Sequence, residues 1–144
     1  MIRKASLDDI DAVKCIADAN RDSIGFVLRP ALIEAIERSW LIISEYDGEI
    51  VGFCNYRHCR NGRTTIYEIC VRADMRRHGI GYQLIEYLIL ESYEKNQIYI
   101  QLKCTLENPA NAFYQRLTFQ LEGRDEGRKR PLNIWRFVLR EVLV

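Results

Sequence analysis

The apolar positions of this chain change their spacing several times, and each change marks a new element. Residues 1–5 read as a short strand. Ser6 precedes Leu7-Asp8-Asp9, an S-x-x-D pattern in which the hydroxyl can cap the first helical amides while the acids favour the positive helix end. Ile10, Val13, Ile16 and Ala17 follow at helical spacing, which predicts a helix to about Asn20. Pro30 suits the first turn of a second helix, with Leu32, Ile33 and Ile36 on one face. Asp47-Gly48 separates a strand at 40–46 from one at 49–57, and Asn61-Gly62 separates that strand from 64–71. Both dipeptides accept the positive φ angles of a type I′ turn, so two antiparallel hairpins are expected.

After Val71 the period lengthens. Ile80, Leu84, Ile85, Leu88 and Ile89 form a wide apolar face, so 81–95 reads as a helix packed on the sheet. Residues 98–104 alternate Ile98, Ile100, Leu102 and Cys104 against Tyr99, Gln101 and Lys103, as a strand does. A strand–helix–strand unit with parallel strands follows. Pro109 can open a helix through about Leu117, and 119–122 and 132–142 close the chain as strands. The order β-α-α-β-β-β-α-β-α-β-β predicts a mixed α/β fold (α+β in its layering). Its sheet should be mostly antiparallel and twisted, with about four helices. No repeat, linker or low-complexity tract interrupts residues 1–144, which points to a single domain.

Composition narrows the functional classes. Lys plus Arg number 21 and Asp plus Glu 20, so a net charge of +1 gives no global attraction to nucleic acid or to a membrane. The five cysteines, at 15, 54, 59, 70 and 104, are odd in number and widely spread, which suits a reducing cytosol. No signal-peptide pattern opens the sequence, and no apolar run approaches the ~20 residues of a membrane span. A cytoplasmic protein is expected.

The densest chemistry lies in Arg72-Ala73-Asp74-Met75-Arg76-Arg77-His78-Gly79-Ile80-Gly81-Tyr82, where a strand gives way to a basic loop and then a helix. The first helical turn leaves its amides unpaired, and its dipole favours an anion. Gly79 and Gly81 let that backbone approach a diphosphate, and Arg72, Arg76 and Arg77 can fork-bond its oxygens. A dinucleotide fingerprint would need glycine at position 84, which is Leu84, and no Walker pattern is present. A bare Gly-x-Gly is usually just a loop ahead of a helix; the arginines and the flanking elements make that the weaker reading here.

Arg76-x-x-Gly79-x-Gly81 between strand and helix resembles the Arg/Gln-x-x-Gly-x-Gly/Ala motif of the GNAT (Gcn5-related) N-acetyltransferase superfamily. Asn108-Pro109-Ala110-Asn111-Ala112-Phe113-Tyr114-Gln115-Arg116-Leu117-Thr118-Phe119 resembles the second cofactor segment of that family, with Thr118 where glycine is usual. If the backbone there is left-handed, Thr118 is strained.

The resemblance implies a parallel strand pair, 64–71 and 98–104, that splays apart around the pantetheine of acetyl-CoA (coenzyme A), bonded to backbone near Ile69, Cys70 and Val71. It implies cofactor binding by Arg76, Arg77, His78, Gly79, Ile80, Gly81 and Tyr82, and by Asn108, which can also cap the helix after Pro109. An amine would attack the thioester directly, without an acyl-enzyme, and the amide of Val71 is a candidate oxyanion donor. Tyr114 matches the family acid that protonates the departing thiolate; simple packing beside Phe113 and Phe119 is its bland alternative. The family base often stands where this chain has Thr65, which leaves Glu68, an acid inside an apolar strand, to act through water. Its alternatives are a solvent-facing edge position or a structural hydrogen bond.

The expected activity is N-acetyl transfer to a small-molecule primary amine. A protein N-terminus or lysine as acceptor, and a non-catalytic acyl-CoA-binding module, are the alternatives; nucleic-acid binding ranks third. Cys54, His58 and Cys59 lack the further ligands a zinc site needs, so no metal is expected. The run from Gly123 to Pro131 reads as a polar loop whose Arg128, Lys129 and Arg130 could meet an anionic part of the acceptor. Trp135, Phe137 and Leu139 alternate with Ile134, Val138 and Val142, so one face of the last strand could form a homodimer contact.

Overall fold

The predicted element order is present, with one extra helical turn. The computed structural model describes residues 1–126 and 129–141. The elements are β1 (Ile2–Lys4), a 3-10 turn (Leu7–Asp9), α1 (Ile10–Ala19), α2 (Arg21–Ile24), α3 (Arg29–Glu37), β2 (Leu41–Tyr46), β3 (Glu49–His58), β4 (Arg63–Val71), a second 3-10 turn (Ala73–Met75), α4 (Ile80–Glu94), β5 (Tyr99–Thr105), α5 (Ala110–Arg116), β6 (Gln120–Asp125) and β7 (Leu132–Val138). The strands form one sheet in the order β1-β2-β3-β4-β5-β7-β6. β4 and β5 are the parallel pair; β1–β2, β2–β3, β5–β7 and β6–β7 run antiparallel.

The two hairpins use different turns. Asp47 and Gly48 have φ of 51° and 78°, the double positive φ of a type I′ turn. At the second hairpin only Gly62 is positive, at 87°. The Gly62 amide bonds the Cys59 carbonyl at 3.2 Å, and the Cys59 amide bonds the Arg63 carbonyl at 2.8 Å. This is a three-residue loop closed by a glycine bulge, so the expected type I′ turn at Asn61 is corrected.

The chain divides into two compact units. The first comprises Met1–Tyr56 and Glu68–Leu88. In its core, Val13 and Ile16 of α1 and Leu32 and Ile36 of α3 cluster with Leu41, Ile43, Phe53 and Cys70 from the strands. Each such side chain contributes roughly 1.5–3 kcal/mol by burial. Gly52 lets α4 sit close to β3: a Cβ there would lie 3.0 Å from the Cys70 carbonyl oxygen and 3.2 Å from Cγ2 of Ile80. Asp9 accepts the Ser6 amide at 2.8 Å and the Arg3 guanidinium through both oxygens, which anchors the start of α1.

The second unit comprises Arg57–Tyr67 and Ile89–Val144. The parallel register runs from Arg63↔Tyr99 to Ile66↔Leu102, while β4 itself continues to Val71. β5 pairs along its whole length with β7, from Tyr99↔Val138 to Thr105↔Leu132. His58 bridges Thr64 Oγ1 and Glu91 Oε2, each at 2.8 Å, so both ring nitrogens are engaged inside the unit.

The ends of the last two strands differ from expectation. Gly123, Arg124 and Asp125 belong to β6, which is longer than 119–122, so the polar loop begins after them. β7 ends at Val138 rather than 142, because the amides of Leu139 and Arg140 turn to bond the Ile98 carbonyl. Arg128 and Val142 lie outside the described residues.

Thr118 has φ 65°. A β-branched residue there carries about 1–2 kcal/mol of strain. Glycine would relieve it at an unfolded-state cost of about 0.5–1 kcal/mol. Thr118→Gly should therefore raise the melting temperature by about 2–4 °C. An unchanged or lower value in calorimetry contradicts this reading.

Candidate active site

In the first unit, β4 runs into a loop that ends at the start of α4. Arg76 is extended (φ −68°, ψ 155°), Arg77 is left-handed at φ 65°, and Gly79 has φ 77°. The Gln83 amide bonds the Gly79 carbonyl at 3.0 Å, closing the first helical turn. The amides of Ile80, Gly81 and Tyr82 therefore have no intrahelical acceptor and present an anion-binding end. Gly79 needs its positive φ, whereas space is not the constraint, since no atom lies within 4 Å of a Cβ built there.

The arginines are not equivalent. Arg72 spends its fork on Asp74, at 2.7 and 3.2 Å, with Glu49 at 3.2 Å, so it braces the loop internally. Arg76 donates to the side-chain oxygen of Asn20, the residue that ends α1. Arg77 makes no side-chain hydrogen bond or ion pair with another described residue, and it is exposed beside the uncapped turn. His78 donates Nδ1–H to the Arg76 carbonyl at 2.9 Å, which leaves Nε2 outward. Of the three basic side chains expected to meet phosphate, the structure thus ties two to protein partners.

Glu68 stands on β4 within the same unit, half-buried. Burial pushes its carboxyl above the usual carboxylate range, and a 2.8 Å hydrogen bond from Asn55 Nδ2 draws it partly back. The solvent-facing alternative for Glu68 does not describe this position. Thr65 supplies only a hydroxyl, which accepts from Arg63 Nε at 3.0 Å. Cys70 is buried, and burial with the nearby Glu68 charge pushes its thiol up to about 12. Cys54 is fully buried and pushed higher for the same reason. Neither thiol is a nucleophile at neutral pH. Ile69 and Val71 are half-buried on either side of Cys70.

In the second unit, Asn108 Oδ1 accepts the Ala110 amide at 2.9 Å, an Asx turn just ahead of α5. Tyr114 lies on α5 with 4% exposure, its ring 5.4 Å from Phe113 and 5.7 Å from Phe119. Sequence reasoning missed Asn111. Its Oδ1 accepts from Trp135 Nε1 at 2.8 Å, Asn133 Nδ2 at 3.0 Å and Cys104 Sγ at 3.0 Å. Its Nδ2 faces the carbonyls of Asn108, Thr105 and Leu106 at 2.8, 3.0 and 3.1 Å. One side chain thereby fixes the turn from β5 into α5. Arg130 is paired with Glu107, so it is tied back to that same turn.

An open cavity of about 380 Å³ lies elsewhere in the first unit, lined by Asp8, Asp9, Glu45, Glu49 and Arg72 among others. It contains neither Glu68 nor the start of α4; of its lining charges, Asp9 and Glu45 pair with Arg3, and Glu49 pairs with Arg72. Among the described residues, no group of three or more His, Cys, Asp or Glu side chains converges as metal ligands do. All five cysteines are free thiols. Among the described residues no helix is long and apolar enough to cross a membrane.

Comparison with known proteins bears on the family and the fold of this chain. The model of a family described as the Acetyltransferase (GNAT) family matches residues 10–119. A protein named 5-NmdU N-acetyltransferase, from Pseudomonas phage PaMx11, is 32% identical over 95 residues, which are 65% of this chain and 66% of that protein. The chain thus spans just under two thirds of that curated relative. The N-acetyltransferase from Staphylococcus aureus Mu50 superposes with a TM-score of 0.82 at 23% identity, over 97% of this chain and 98% of its own. The protein yncA from Salmonella typhimurium, solved with its cofactor acetyl-CoA, gives 0.84 at 18% identity, over 100% and 96%. At these identities the two solved structures share the fold.

Proposed function

The chain belongs to the acetyltransferase (GNAT) family, and on that premise we propose that it transfers acetyl from acetyl-CoA to the primary amine of a small molecule by direct attack. The observation that carries the reading is Glu68. It is a half-buried carboxylate on β4, raised in proton affinity by burial and hydrogen-bonded to no cationic side chain among the described residues. Such a group takes a proton near neutral pH more readily than an exposed carboxylate.

An alkyl ammonium, with a pKa near ~10, must shed a proton before it attacks. Glu68 accepts that proton, through a water where the amine does not reach it. Bound acetyl-CoA supplies an electrophilic thioester carbonyl. The amides of Ile80, Gly81 and Tyr82 hold its diphosphate, with Arg77 adding charge at the same turn. Asn108 supports the β5–α5 turn and offers a polar group to the amide-rich arm. Tyr114 donates a proton to the departing thiolate. Direct attack is favoured over an acyl-enzyme because Cys54 and Cys70, the thiols whose titration feels the Glu68 charge, are both held un-ionised.

The acceptor class draws support from the phage relative, whose name ties it to 5-NmdU rather than to a peptide. Competition assays decide it. With acetyl-CoA saturating, kcat/KM for the best small primary amine should exceed that for any peptide N-terminus or peptide lysine by at least about tenfold, a gap of roughly 1.4 kcal/mol. A peptide acetylated faster than every small amine overturns the acceptor assignment.

A further inference from the structure

Glu68 has one side-chain hydrogen-bond partner among the described residues: Asn55, on the neighbouring strand β3, at 2.8 Å. From this we infer that Asn55 is a positioning residue for the proton-accepting carboxylate, holding Glu68 in one rotamer across the β3–β4 hairpin. The inference rests on Glu68 acting as the base.

A glutamate has three rotatable side-chain bonds, and fixing them costs rotamer entropy. A carboxylate that must meet an amine or a water at one place gains from having that loss met before the substrate arrives. The bond uses Oε2 and leaves Oε1 as the acceptor. The chemistry of the partner also matters. A lysine or arginine at position 55 would orient the carboxylate equally well, yet its charge would depress the proton affinity that a base needs. A primary amide donates without charge, so it orients Glu68 and removes little of its basicity.

The surroundings leave this bond as the opposing influence to burial. Cys54 on β3 and Cys70 on β4 both feel the charge of Glu68, and burial keeps both protonated. Arg76 reaches Cys70 from the loop but is held by Asn20. The sign follows directly. A hydrogen bond to the ionised carboxylate lowers its proton affinity, so losing that bond raises it, and the acid limb of kcat/KM must move to higher pH.

The test is a pH–rate series on Asn55→Ala, Asn55→Asp and Glu68→Gln with acetyl-CoA and a reactive primary amine. Asn55→Ala should move the acid limb upward, so that turnover falls severalfold near pH 6 while the deficit closes toward pH 9. Asn55→Asp, which keeps the shape of the side chain, should move the limb further, because a second carboxylate now faces Glu68. KM for acetyl-CoA should stay near wild type in both. Glu68→Gln should abolish the limb altogether. If Glu68→Gln abolishes the limb but both Asn55 profiles superimpose on wild type, the positioning role is wrong while the base assignment stands. If Glu68→Gln keeps a wild-type profile, the base assignment itself fails and the inference with it. Should Asn55→Ala misfold, the isosteric Asn55→Asp still returns one of these results.

Discussion

Tyr114→Phe should lower kcat by about 10²-fold, the low end of what a positioned proton donor contributes, while leaving KM for acetyl-CoA nearly unchanged. The substitution keeps the ring that packs at 5.4 Å from Phe113 and 5.7 Å from Phe119. Only a hydroxyl is lost from a site with 4% exposure, which costs about 1 kcal/mol of stability or less. Such a loss does not unfold the protein at assay temperature, so a fall in kcat reports chemistry. The role also makes a sharper demand. The thiolate of an acidic aryl thiol departs without needing a proton, so the deficit of Tyr114→Phe should shrink when an acetyl thioester of such a thiol is the donor. An equal deficit with both donors would mean that Tyr114 only packs, which is the plain alternative for an aromatic in this cluster.

The second large effect concerns stability. Asn111→Ala removes a side chain that meets three donors and three carbonyls. The indole N–H of Trp135, a residue with 5% exposure, loses its acceptor, and so does the Asn133 amide. Each buried polar group left unpaired costs about 1–3 kcal/mol, and relaxation with entering water recovers part of it. A net loss of about 3 kcal/mol, or about 10 °C in melting temperature, is expected. Asn133→Ala breaks one of these bonds and should cost about 1 kcal/mol. Calorimetry of the pair checks the ordering; equal losses would show that Asn111 is not the hub of the turn.

The difference between Tyr114 and Asn111 shows which features the sequence made legible. Tyr114 sits in a motif with fixed spacing, so its place on α5 could be read locally. Asn111 lies in the same motif at a position without a required residue, and its partners Asn133 and Trp135 are 22 and 24 residues further along. No local pattern signals a hydrogen bond of that span. The same holds for Asn55 with Glu68, 13 residues apart, and for Asn20 with Arg76, 56 apart. In each pair the polar residue looks like an ordinary strand or helix-end position until the fold brings its partner alongside.

Elements fared better than partners. Periodicity and turn residues located all seven strands and the four longer helices, because those signals are properties of the segment itself. The one-turn helix Arg21–Ile24 is too short to show a period. The dipeptide Asn61-Gly62 favours a type I′ turn, but the turn centres one residue earlier, on Arg60-Asn61, and places only Gly62 at positive φ. The loop arginines also have partners that lie outside any local pattern. Arg72 and Arg76 stand where an anion would be expected, and Asp74, Glu49 and Asn20 reach them first. What the structure adds to the basic loop is a division of roles. Arg72 and Arg76 are held by protein partners, which leaves Arg77 and the first amides of α4 for the diphosphate in the proposed reading.

The central claim is that this chain turns over acetyl-CoA at the expense of an amine. Release of free thiol from acetyl-CoA, followed in time with and without a panel of primary amines, tests it most directly. The account predicts slow release without amine and many turnovers per protein molecule with at least one small primary amine, accompanied by the N-acetylated product. Thermal stabilisation by acetyl-CoA with no amine-dependent thiol release across the panel would contradict it and mark the chain as a binding module.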